Sequence, residues 1–221
     1  MIFTSLCHIG LVRKENQDAL NHLKTEDGDL FVVCDGVSGL PSGSLASQTA
    51  VDSIIAGFST STGKTPEARL HDAMDSGQKS IMKTNPKPLG TTVAACFLHK
   101  DVINSTWCGD SRIYHFRNNT VLWMSLDHNV LHDILNRGSG RNGMFMNPRA
   151  LNRFFGREFE VKSDYHSFQV KAEDYILICS DGLSNFLSEP DIIHTVTNNL
   201  PHEASDMMER KLLSEEIGAP D

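Results

Sequence analysis

Between Thr91 and Met124 four strand-like runs follow one another with only short turns between them, at 91–98, 102–107, 112–116 and 120–124. Each is rich in β-branched and aromatic residues and bounded by turn formers. Strands joined so closely pair antiparallel, because a parallel pair needs a crossover of about a dozen residues or more. This block argues against an alternating βαβ architecture. Arg117-Asn118-Asn119 predicts a hairpin turn, since asparagine tolerates positive φ. Further strand-like runs lie at 30–34 and 175–179, and helical patterns at 44–58, 66–83, 129–136, 190–200 and 203–217. Pro66 and Pro190 suit first helical turns. Paired helices between blocks of strands make the fold class α+β. The 221 residues suit one larger domain, 1–221, better than two small ones. Two stretches look irregular, 57–65 and 137–148, and the region from about 129 to 148 is long enough to be a functional flap.

Charge removes several function classes. With 20 basic and 28 acidic side chains the net charge is -8, which disfavours nucleic acid or an anionic membrane as the main partner. The five cysteines form no C-x-x-C pair and mostly sit in apolar runs, as expected of free buried thiols in a reducing cytoplasm. Neither a secretory leader pattern nor an apolar run of membrane-spanning length is evident. A soluble, cytoplasmic monomer is expected.

Acidic residues are then needed locally. The run Leu30-Phe31-Val32-Val33-Cys34 ends in Asp35-Gly36, and Tyr175-Ile176-Leu177-Ile178-Cys179-Ser180 ends in Asp181-Gly182; Cys108-Gly109-Asp110 is a weaker third case. An Asp closing a buried strand sets its carboxylate at the rim of a sheet, and the glycine permits close approach of backbone or ligand. One such Asp-Gly is most simply a turn. Several on one rim are different, because two carboxylates about 4 Å apart repel by about 4 kcal/mol at an effective dielectric of about 20. A cation relieves that repulsion, and an oxygen-only donor set suits Mg²⁺ or Mn²⁺ better than zinc.

With Gly10-Leu11-Val12-Arg13-Lys14-Glu15-Asn16-Gln17-Asp18-Ala19 added, the ordered set resembles the protein phosphatase 2C family of metal-dependent serine/threonine phosphatases, in its compact bacterial form. The other carriers are CDGVSGLPSGSLAS from Cys34, LGTT at 89–92, CGDSRIY from Cys108, LDH at 126–128 and CSDGLSN from Cys179, which span almost the whole chain in the family's order. The resemblance implies a central sandwich of two antiparallel sheets flanked by helices, in four layers. It also implies one-step hydrolysis of phosphoserine and phosphothreonine, the substrates being phosphorylated proteins and the opposing enzyme a Ser/Thr kinase. Residue by residue, it implies that Asp35 bridges two ions and that the Gly36 carbonyl binds the second. Asp18 would hold coordinated water, Asp181 and Asp221 would ligate the first ion, Asp110 with Asp181 a third and weaker one, and Arg13 would clamp the phosphate. Two such ions about 3.5 to 4 Å apart acidify a shared water and stabilise in-line displacement at phosphorus, so no side-chain nucleophile is required. Arginine offers phosphate a fixed planar donor set that lysine lacks.

The chain departs from the family at Asn185, where many members have a further Asp, and at Ser38 and Leu40, which replace a frequent glycine and histidine. Asp221 is the last residue, where members continue with Asn and a closing strand, so that strand is expected to be missing. A different-class alternative is a phosphatase-like binding module, against which Asp18, Asp35 and Asp181 speak. The glycines of Gly57 to Thr65 are one residue too far apart for a P-loop. His128 and His132 are predicted on a solvated helix face, and Met207 and Met208 in core packing.

Overall fold

A computed structural model of the chain describes residues 1–40, 42–84, 88–137, 147–157 and 161–214. Two sheets stack face to face. The first has the order β1-β2-β3-β4-β7, formed by β1 (Asp18–Lys24), β2 (Gly28–Asp35), β3 (Val93–His99), β4 (Val102–Cys108) and β7 (Asp164–Gln169). The second, β6-β5-β8, is formed by β5 (Arg112–Arg117), β6 (Thr120–Met124) and β8 (Tyr175–Cys179). Every strand pairing is antiparallel.

Alternation along the strands decides what each face meets. In β2, Leu30, Val32 and Cys34 join Ala46, Ala50, Ile54 and Phe58 of helix α1 (Gly43–Thr60), with Leu70, Ala73 and Ile81 of α2 (Pro66–Lys83) completing that core. In the second sheet Tyr114, Phe116 and Cys179 pack on Ile192 and Val196 of α5 (Glu189–Asn198) and on Ala204 and Met208 of α6 (Pro201–Leu212). A third cluster lies between the sheets, with Ala94, Cys96, Ile103 and Trp107 facing Ile113, Ile176 and Ile178. Helices, sheet, sheet, helices are therefore the four layers, as the family resemblance implies. The remaining helices are α3 (Val130–Arg137) and the one-turn α4 (Asp181–Ser184).

The sandwich is closed along one side and open along the other. Where β6 lies over β7, Trp123 stacks on His166 at 4.6 Å between ring centres and His115 on Phe168 at 4.5 Å. On the opposite side, between the free edges of β1 and β8, five strands face only three, leaving a cleft of about 1290 Å³. The first ten residues run into it without regular structure, and the ring of Phe3 rests on His22 and Phe31 at 4.6 and 5.2 Å.

All six expected strands are present, each within about two residues of its predicted limits. β1, β7 and α4 are additional. The hairpin after Arg117 forms as expected, with Asn118 and Asn119 at φ 49° and 56°. Several expectations need correction. Met208 is buried but Met207 is 44% exposed, because adjacent positions on a helix face different ways. Of the cysteines, Cys34, Cys96, Cys108 and Cys179 are buried free thiols, whereas Cys7 is exposed. His128 is not on a solvated helix face: it precedes α3, is 2% exposed, and accepts the Gly109 amide on Nδ1 at 3.1 Å. The proposed flap begins with α3 and is tied at its base by pairing of Asn129 with Leu151, while 138–146 lie outside the described residues.

Candidate active site

Parity places the carboxylates. Residues opposite one another on neighbouring strands share a face, and Asp18 pairs with Asp35. Since Leu30, Val32 and Cys34 face the helices, Asp35 turns inward with Phe31 and Val33, and Asp18 turns inward with it. In β8, Tyr175, Leu177 and Cys179 face α5 and α6, so Ser180 is the next inward position. Its hydroxyl donates to Asp18 Oδ2 at 2.8 Å, joining the two sheets at the mouth of the cleft. Asp181 follows at the start of α4, and Asn185 donates to its Oδ2 at 3.0 Å.

Asp35 lies close enough to both Asp18 and Asp181 to feel their charges, so carboxyl groups carried by both sheets approach one another here. Burial, followed by the charges of Asp18 and Asp181, pushes the Asp35 carboxyl well above the ordinary carboxylate range. Burial also raises Asp18, which the Ser180 hydroxyl and the Arg13 charge partly offset. Asp110 lies close enough to Asp181 and Asp127 to feel both; burial first, then those two charges, push it up to about 7. Asp127 itself grips Arg112 through two bonds of 2.8 and 2.7 Å, fixing the turn before His128. At the outer lip of the cleft, Arg13 Nη2 donates to Ser38 Oγ at 3.1 Å.

The backbone around Asp35 is held on both sides. Its amide donates to Thr92 Oγ1 at 3.1 Å, and its carbonyl accepts Thr92 N and Thr91 Oγ1, each at 2.8 Å. Gly36 is required by packing rather than by a turn: a Cβ there would lie 2.5 Å from the Gly43 carbonyl oxygen at the start of α1. At Gly182 an added Cβ would meet nothing nearer than Ser180 Oγ at 3.8 Å. The two Asp-Gly pairs, alike in sequence, do different work.

Of the predicted site residues, Arg13, Asp18, Asp35 and Asp181 line the same cleft, Gly36 adjoins Asp35, and Asp110 lies beside Asp181. Asp221 lies outside the described residues. Among the described residues, no cluster of three or more His, Cys, Asp or Glu side chains meets at ligand spacing; the carboxyl groups meet in pairs through Asp35. Sequence reasoning missed Ser180, Thr92 and Ser111. The inward parity of each was the available signal.

The chain matches the description "Protein phosphatase 2C" over residues 12–214. A serine/threonine phosphatase stp of Listeria welshimeri is 29% identical over 196 residues, covering 83% of this chain and 78% of that relative. The protein phosphatase PhpP of Streptococcus pneumoniae is 26% identical over 212 residues, covering 91% and 86%. Among solved structures, the catalytic domain of the serine threonine protein phosphatase PstP, in complex with two manganese ions, superposes with a TM-score of 0.80. That likeness is at 24% identity and covers 98% of this chain and 92% of that one. The chain belongs to the protein phosphatase 2C family.

Proposed function

We propose that this chain is a divalent-metal-dependent protein phosphatase that hydrolyses phosphoserine and phosphothreonine at the acidic mouth of the β1/β8 cleft. The observation that carries the proposal is the approach of Asp18 from one sheet and Asp181 from the other to the buried Asp35, with raised carboxyl pKa values at Asp18 and Asp35. Like charges so placed are relieved by a cation, and an all-oxygen donor set fits a hard one. The manganese of the related PstP structure supports the same choice. Asp18, Asp35, the Gly36 carbonyl and Asp181 would hold two ions, with Asp221 completing the first site and Asp110 with Asp181 offering a third. Bound there, Mn²⁺ or Mg²⁺ supplies charge neutralisation at phosphorus and a more acidic water.

The chain's own residues do the rest. Arg13 stands at the lip, where its guanidinium presents a planar donor set to the non-bridging phosphate oxygens and orients the ester. Burial of Asp35 on a rigid strand end fixes where the phosphate sits relative to Arg13. The substrates are phosphorylated proteins, the opposing enzyme is a Ser/Thr kinase, and the phosphatase works as a cytoplasmic monomer.

The test is turnover of an aryl phosphate and of a phosphothreonine peptide with Mn²⁺, with and without chelator. Turnover that chelator abolishes and Asp35→Asn reduces to background is the expected result. A chain that binds manganese yet never hydrolyses either ester defeats the enzyme reading and leaves the binding module.

A further inference from the structure

We propose that the buried hydroxyl pair Thr92 and Ser111 is a strut between the two sheets that sets the spacing of the acidic rim, making both positioning residues for ion binding. This rests on the phosphatase reading of that rim. Thr92 precedes β3, where Ala94 and Cys96 face inward, and Ser111 precedes β5, where Ile113 faces inward. Both hydroxyls therefore point between the sheets, and they meet at 2.6 Å with the residues 2% and 1% exposed.

Each end of this contact is fastened to a candidate ligand. Thr92 Oγ1 also accepts the Asp35 amide at 3.1 Å, and Thr92 N donates to the Asp35 carbonyl at 2.8 Å. Ser111 directly follows Asp110. Gly109 makes the approach possible, since a Cβ there would lie 2.6 Å from Thr92 Cβ and its φ is +117°. The β3/β4 pairing of Val93 with Cys108 sets these segments side by side, and glycine takes that φ without the penalty a side chain would carry.

Carboxylates on opposite sheets repel, Asp35 from Asp181 in particular, and that repulsion works to open the rim. Hydrogen bonds beside the rim resist it, from Ser180 to Asp18 and between Thr92 and Ser111. The bond from Ser180 uses a carboxylate oxygen of Asp18 that an ion would compete for. The bond between Thr92 and Ser111 uses no candidate ligand atom, so it persists when ions arrive and preorganises their site.

The experiment measures Mn²⁺ binding by calorimetric titration for wild type, Thr92→Val, Thr92→Ser, Ser111→Ala and the Val/Ala double variant. Each is measured well below its own metal-free unfolding midpoint, with aryl phosphate turnover recorded in parallel. Thr92→Val and Ser111→Ala are each expected to weaken Mn²⁺ binding by about tenfold, as loss of an outer-shell partner does. Thr92→Ser restores it, and the double variant is no worse than either single one. Variants that melt earlier but bind Mn²⁺ as wild type does, or losses that simply add, overturn the strut. Wild type that binds Mn²⁺ without turnover defeats the phosphatase reading while the strut is still judged on binding. Wild type that binds none defeats both.

Discussion

Asp35 combines a buried carboxyl, two acidic neighbours and a backbone held at both its amide and its carbonyl. Without an ion it retains a proton that an unfolded aspartate, with a pKa of about 3.9, would lose. Asp18 and Asp110 are raised in the same direction, Asp110 to about 7. The folded chain then binds more protons than the unfolded one above pH about 4, so these groups lower stability as pH rises toward 7 and beyond. His128, whose pKa burial lowers, acts in the opposite sense below pH about 6.5, where the unfolded imidazole takes up the proton. The informative comparison is therefore between wild type and Asp35→Asn in chelator. The variant is expected to melt higher at pH 8, by about 1–3 kcal/mol of stability, and to show a shallower decline from pH 5 to 8. Thermal unfolding at both pH values tests it; an unchanged slope would mean that Asp35 carries no excess proton.

Among the elements, the chain leaving β2 comes against the first turn of α1 at Gly36 and Gly43 with no room for a side chain. Gly36→Ala forces backbone apart there and is expected to cost about 1–3 kcal/mol, with loss of turnover as Asp35 moves. Gly182→Ala is expected to be within about 0.5 kcal/mol of wild type, because its space is open. Melting and turnover of the two variants side by side decide the matter. The sequence carries the same Asp-Gly signal at both places, so this asymmetry was not legible from it. What was legible had strong local chemistry: apolar strands covered by helices, the Asn-Asn hairpin, and acids at strand ends. β1 and β7 escaped because DALNHLK and DYHSFQ carry polar side chains on both faces, as edge strands can. Ser180, Thr92 and Ser111 escaped for a related reason. A hydroxyl at a strand end is ordinary in one strand, and its partner lies on the other sheet, distant in sequence.

At the scale of the whole molecule, the two sheets are joined unequally. Stacked rings of Trp123, His166, His115 and Phe168 fasten the β6/β7 side, while β1 and β8 carry free edges on either side of the cleft. The candidate ligands are divided across that open side, Asp18 and Asp35 on one sheet and Asp181 on the other. The sandwich is bound like a book, with its spine at the aromatic stack and its acids printed on facing pages. Breathing about such a spine changes the spacing of the candidate ligands most and the spine least, so ions held by both pages would act as a clasp. Amide hydrogen exchange is expected to slow on adding Mn²⁺ far more in β1 and β8 than in β6 and β7. Equal slowing of all four strands would mean that the leaves do not move.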